Sequence, residues 1–165
     1  RSMLGKRVYD ISRAVDMIHA QDSLDNTKIG IIGNSSGGTT GYYAAAMDER
    51  IDLAVVSCSF STFETSWLKY PHCACGYLPG LLEIADMPDL TELIAPRKLI
   101  IVAGDEDYLA DIEGVKEGFA TAEKWYSAEN AFENLKLIVG DGGHRFYPEQ
   151  TWPVIQEMKQ KLTHK

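Results

Sequence analysis

Val8, Ile11, Val15 and Ile18 recur at helical spacing with Arg, Asp and Ser between them, so the segment from about Gly5 to Ala20 reads as an amphipathic helix. A polar turn, Gln21 to Thr27, separates it from Lys28-Ile29-Gly30-Ile31-Ile32, a short run apolar at consecutive positions. That pattern suits a strand covered on both faces in a parallel sheet. Small and apolar residues then follow at helical density from Ser36 to Met47, and Leu53-Ala54-Val55-Val56 supplies a second buried strand. Leu99-Ile100-Ile101-Val102-Ala103 is the clearest strand, leading through an acidic loop into a helix with apolar positions Ile112, Val115, Phe119, Ala122 and Trp125. Leu135 to Val139 is a fourth strand. A Gly-rich turn follows it, and Trp152, Ile155, Met158 and Leu162 mark a closing helix.

Four strands alternating with helices imply βαβ crossovers, hence an open, mostly parallel α/β sheet with helices on both faces. In such sheets ligand chemistry gathers at the carboxyl ends of the strands. The stretch 57–96 breaks the alternation: it carries Pro, Gly, all three cysteines and several aromatics without a sustained period. It is expected to be an irregular excursion over the active-site end of one domain, 1–165.

Composition narrows the partners. An apolar fraction of 45% with 10% aromatics is that of a packed globular domain. The net charge of −8 disfavours nucleic acid, whose phosphates are bound by clustered Lys and Arg. No run approaches the roughly 20 apolar residues that cross a bilayer, so no membrane is expected. Cys58, Cys73 and Cys75 are too few for a disulfide framework, which points to a reducing, cytoplasmic setting.

Between the first strand and the second helix stands Gly33-Asn34-Ser35-Ser36-Gly37-Gly38, which contains G-x-S-x-G. In that motif a serine sits in a strained turn with its hydroxyl held clear of the backbone, and bulk is excluded two positions to either side. The plainer reading is a small-residue turn or an anion-binding helix start. A serine hydroxyl needs a base within hydrogen-bond reach. Of the histidines, His19, His72, His144 and His164, only His144 directly follows a buried strand, in Gly140-Asp141-Gly142-Gly143-His144. A carboxylate should fix the imidazole tautomer. The loop after the third strand offers Asp105, Glu106, Asp107 and Asp111; spacing alone leaves the choice open, and Asp105 or Asp111 could instead cap the next helix.

The order Ser35, Asp107, His144 resembles the nucleophile, acid and base of the α/β-hydrolase fold. Pro71 to Gly80, Leu93-Ile94-Ala95-Pro96-Arg97 and Gly142-Gly143-His144-Arg145-Phe146-Tyr147-Pro148 resemble its dienelactone-hydrolase and acetylxylan-esterase-like branch. The resemblance implies Asp107 rather than Asp105 as the acid, and a backbone N–H of Ser36 in the oxyanion hole. Asn34, beside the serine, is grouped with Ser36 as an oxyanion or substrate-binding candidate. It also implies a serine esterase, acting on a carboxylic ester such as a carbohydrate acetyl ester, without a cofactor or metal. His72, Cys73 and Cys75 are close enough to suggest a metal site, but a structural zinc takes four ligands. A packed loop shaping the acyl pocket is the preferred reading. Cys58 is expected to be a small buried apolar residue.

Enzymes of this fold carry further strands before the nucleophile strand, and one of their loops gives the second oxyanion donor. The chain therefore resembles the C-terminal portion of such an enzyme, with low activity expected of it alone. Its sheet edge at Ile29 to Ile32 is expected to pair with a second copy or an N-terminal segment. Two other functions compete. One is a prolyl-oligopeptidase-type serine peptidase, and the other is a non-catalytic α/β interaction domain.

Overall fold

A computed structural model describes residues 2–160. Helix α1 spans Met3–His19, β1 Ile29–Asn34, α2 Ser36–Met47, β2 Ile51–Ser57, β3 Lys98–Gly104, α3 Ile112–Ala128, β4 Leu135–Gly140 and α4 Pro148–Gln160. The strands form one parallel sheet in the order β1-β2-β3-β4. Each predicted element is present. The expected Leu162 contact lies outside the described residues.

Alternation along each strand divides the core. Ala54, Val56, Leu99, Ile101 and Ala103 face one large cluster, shared with Leu4, Val15, Tyr42, Val115 and Tyr126 from α1, α2 and α3. Leu53, Val55, Ile100, Val102 and Ile138 face the other side, where α4 supplies Ile155 and Met158. Helices thus lie on both faces, three against one.

The structure departs from the periodicity in two places. On α3 the fully buried aromatic is Tyr126, with Trp125 only partly covered. The helix approaches its neighbours through Gly114 and Gly118, where a side chain would meet Thr65 and Ser61, or Phe60 and Pro88. Periodicity counts apolar side chains, so it passes over a face made of glycine. On β1, the expected cover on both faces is absent among the described residues: the strand pairs only with β2, and Ile32 is 48% exposed. This is the open edge foreseen at Ile29 to Ile32.

The excursion between β2 and β3 is ordered by polar anchors and short 3₁₀ turns at Ala74–Gly76, Leu81–Glu83 and Met87–Leu93. Asp86 caps the last of these and accepts the Phe63 N–H at 3.0 Å. Buried Tyr42 donates to the Met87 carbonyl at 2.8 Å. Arg97, just before β3, donates to the carbonyls of Ala45, Asp48, Ile51 and Leu93, tying the ends of α2 and of the excursion to the start of β2. Cys73 and Cys75 are bonded to each other as a disulfide, a local staple rather than a framework. No helix among the described residues is long and apolar enough to cross a membrane.

Candidate active site

β1 runs through Gly33 and Asn34, and α2 begins at Ser36, leaving Ser35 as the single residue of the turn. Its backbone has φ 55° and ψ −126°, a conformation that L-residues reach only under strain. The turn is held from both sides: Ser35 N–H donates to the Ser57 carbonyl at 2.8 Å, and Thr39 N–H donates to the Ser35 carbonyl at 2.9 Å. A Cβ on Gly33 would run into the Gly37 and Gly38 backbone, and one on Gly38 into Ser57 and Ser59. Gly37 faces no atom within 4 Å, so the expected exclusion of bulk holds at Gly33 but falls on Gly38 rather than Gly37.

The acidic loop resolves into separate tasks. Asp105 accepts the Gly142 N–H at 2.7 Å, fastening the loop after β3 to the loop after β4. Asp111 caps α3 by accepting the Glu113 N–H at 3.1 Å, and pairs with Lys69 at 3.0 Å. Asp107, with a fully buried side chain, receives the Leu109 N–H at 3.0 Å on one oxygen, while the other lies 2.8 Å from His144 Nδ1. A carboxylate can only accept, so His144 donates from Nδ1 and its Nε2 carries the lone pair. That Nε2 is buried and has no hydrogen-bond partner among the described residues.

His144 is aimed by packing that the sequence reading did not anticipate. Tyr147 donates to the Gly143 carbonyl at 2.7 Å, and its ring presses on Gly140, which has no room for a side chain. Cys58 follows β2 with φ 52° and its buried thiol donates to the Arg145 carbonyl at 3.2 Å. It is thus more than a space filler. Burial, aided by nearby Asp107, pushes this thiol above its ordinary pKa and keeps it protonated.

Ser35 and His144 line one cavity of about 150 Å³ together with Ser36, Ser59, Ser66, Trp67 and His72. No direct hydrogen bond joins Ser35 to His144 among the described residues. Ser36, the first residue of α2, has a backbone N–H without an intrahelical acceptor, as at every helix start. Asn34 stands apart: it does not line the cavity, and its Oδ1 accepts the Ser57 hydroxyl at 2.8 Å. Its side chain fastens β1 to β2.

The suggested metal set at 72–75 is not assembled, since the two sulfurs bond each other and His72 Nε2 lies 3.1 Å from Ser66 Oγ. Cys58, Asp107 and His144 do bring ligand atoms within 4.8 Å of one another. An ion there would have to break the His144–Asp107 bond and deprotonate a thiol that burial keeps neutral, so the three residues suit the imidazole–carboxylate pair better.

This sheet, with its strand–Ser–helix turn and its converging acid and imidazole, has the α/β-hydrolase fold. The glucuronoyl esterase of carbohydrate esterase family 15 from Caldicellulosiruptor kristjansonii superposes with a TM-score of 0.77 at 19% identity, covering 96% of this chain and 50% of that one. Methylesterase BT1017 gives 0.71 at 21% identity, over 94% and 35%. In sequence, the chain is similar to the putative hydrolase YtaP of Bacillus subtilis (strain 168), 29% identical over 86% of this chain and 48% of that protein. It is also similar to the carbohydrate esterase MZ0003 of an unknown prokaryotic organism, 25% identical over 64% and 28%. The chain spans half or less of the length of these relatives. No protein-family model matches it.

Proposed function

We propose that this chain carries the catalytic residues of a serine carboxylic ester hydrolase acting on small-molecule or carbohydrate esters. The observation that carries the reading is the 2.8 Å bond from His144 Nδ1 to the buried carboxylate of Asp107, which leaves Nε2 unspent in the wall of the cavity that Ser35 also lines. Such hydrogen bonds are often long without substrate and tighten when it binds.

In the proposed reaction His144 Nε2 takes the Ser35 proton as Oγ attacks the ester carbonyl, and Asp107 stabilises the imidazolium. The tetrahedral oxyanion accepts from the Ser36 N–H at the positive end of α2. Collapse expels the alcohol, which receives the proton from His144 and leaves an acyl-Ser35 ester. Water, deprotonated by the same imidazole, then releases the carboxylic acid and restores Ser35. The strained turn, with G-x-S-x-G spacing, acts in this reading as a nucleophile elbow. The names of the relatives, a hydrolase and several esterases, favour ester cleavage over peptide cleavage.

The test is covalent labelling by a fluorophosphonate together with hydrolysis of p-nitrophenyl acetate. Labelling at Ser35, and loss of both signals in Ser35→Ala, is expected. A wild-type chain that neither labels nor hydrolyses would leave the non-catalytic interaction domain as the better reading. The same proposal includes cover for the β1 edge, by an N-terminal segment of a longer parent or by a second copy, because exposed Ile32 sits on unpaired strand backbone. A strictly monomeric chain at high concentration in sedimentation, with no binding of a parent's preceding segment, would count against it.

A further inference from the structure

The cavity holds a second serine and histidine, Ser66 and His72, to which the proposed reaction gives no task. Their hydrogen bonds define a tautomer. The Ser66 hydroxyl donates its single proton to the Leu109 carbonyl at 2.5 Å, because a carbonyl can only accept. Toward His72, 3.1 Å away, Ser66 Oγ is therefore an acceptor, and His72 Nε2 must carry the hydrogen. The other ring nitrogen, Nδ1, is then left as an acceptor.

The ring is held in that state. It stacks on Trp67 with centroids 4.5 Å apart and an interplanar angle of 25°, and Gly76 packs against the far edge of the same indole. The Cys73–Cys75 disulfide closes the loop next to it. Burial, with nearby His144 adding to it and the Ser66 carbonyl partly opposing it, lowers the pKa of His72 and favours the neutral ring. Among the described residues the cavity lining is made of neutral side chains and the two histidines.

We propose that His72 determines specificity by accepting, at Nδ1, a hydrogen bond from a hydroxyl of the bound ester, so that the cavity favours uncharged, hydroxylated esters such as monoacetylated sugars. The proposal rests on the esterase reading and names the substrate class for it. A fixed acceptor is worth something only to a ligand that brings a donor; an alkyl or aryl ester would strip water from Nδ1 and return nothing.

Two measurements test it on the chain as it is. Nitrogen-15 NMR of histidine-labelled Ser35→Ala should show His72 as the Nε2–H tautomer, with the Nδ1 resonance moving on titration with methyl 2-O-acetyl-β-D-xylopyranoside. An Nδ1–H tautomer, or an Nδ1 signal indifferent to saturating sugar ester, overturns the proposal, and neither outcome depends on turnover. For kinetics, the ratio of kcat/KM for the acetyl xyloside to that for p-nitrophenyl acetate should fall about three- to tenfold in His72→Phe, which keeps the stack. His72→Asn, whose Oδ1 stands where Nδ1 was, should recover part of that ratio. An equal fall on both esters would make His72 structural. Absence of any hydrolysis in the wild type would sink the esterase reading instead, leaving the NMR result to decide the acceptor.

Discussion

One cavity presents two serine–histidine pairs, and they differ in where the protons go. Ser66 has spent its proton on the Leu109 carbonyl, and its histidine points a hydrogen at it rather than a lone pair. At the other pair the hydrogen of His144 is drawn to Asp107, and its unspent Nε2 shares the cavity with Ser35. The two histidines thus stand in different hydrogen-bond settings. What distinguishes the pairs is the buried carboxylate behind one ring and the backbone carbonyl beside the other serine.

The largest expected effect that would break this contrast is at Ser35. Ser35→Ala should reduce p-nitrophenyl acetate turnover to the uncatalysed background while the denaturation midpoint stays close to wild type. Asp107→Asn should follow at about 10⁴-fold, because an amide at this place can hold His144 with the hydrogen on the wrong nitrogen. Nitrogen-15 NMR of His144 would reveal that tautomer directly.

Ser66→Ala sharpens the comparison from the opposite side. Turnover should fall by less than about tenfold, whereas stability should drop by about 1–3 kcal/mol as the Leu109 carbonyl loses its donor. Urea titration of the variant measures that cost. An activity loss as large as that of Ser35→Ala would erase the distinction between the pairs.

Effects on stability alone concern the backbone under Ser35, a support that Ser66 does not need. Gly33→Val should cost about 1–3 kcal/mol, since the new side chain meets the Gly37 backbone, which cannot retreat without dragging the helix start. Gly37→Ala, directed into open space, should stay within about 0.5 kcal/mol of wild type by the same titration. A reversed order would mean that the turn is held by something other than these contacts.

Much of this was legible before any coordinates. Apolar periodicity located all four strands and four helices, since burial on one stripe or on both faces leaves a mark in residue order. Ser35 and His144 stood out because each follows a strand directly, which puts it at the sheet's carboxyl end. The α3 glycines left no such mark, because close backbone approach removes the side chains that periodicity counts. The 57–96 excursion stayed opaque for a related reason, being ordered by Asp86, Tyr42 and Arg97 bonding to distant backbone.

The order of residues by itself determined the alternation of strand and helix and the short distance along the chain from each strand end to its polar side chain, because local sterics and side-chain burial act over a few neighbours. Only the tertiary structure could set Asp107, rather than Asp105 or Asp111, beside His144, or bond Asn34 to Ser57. It alone set Asp107 beside His144 Nδ1 and Ser66 beside His72 Nε2. Those choices depend on hydrogen bonds of about 3 Å between groups tens of residues apart, and such distances exist only once the strands lie side by side.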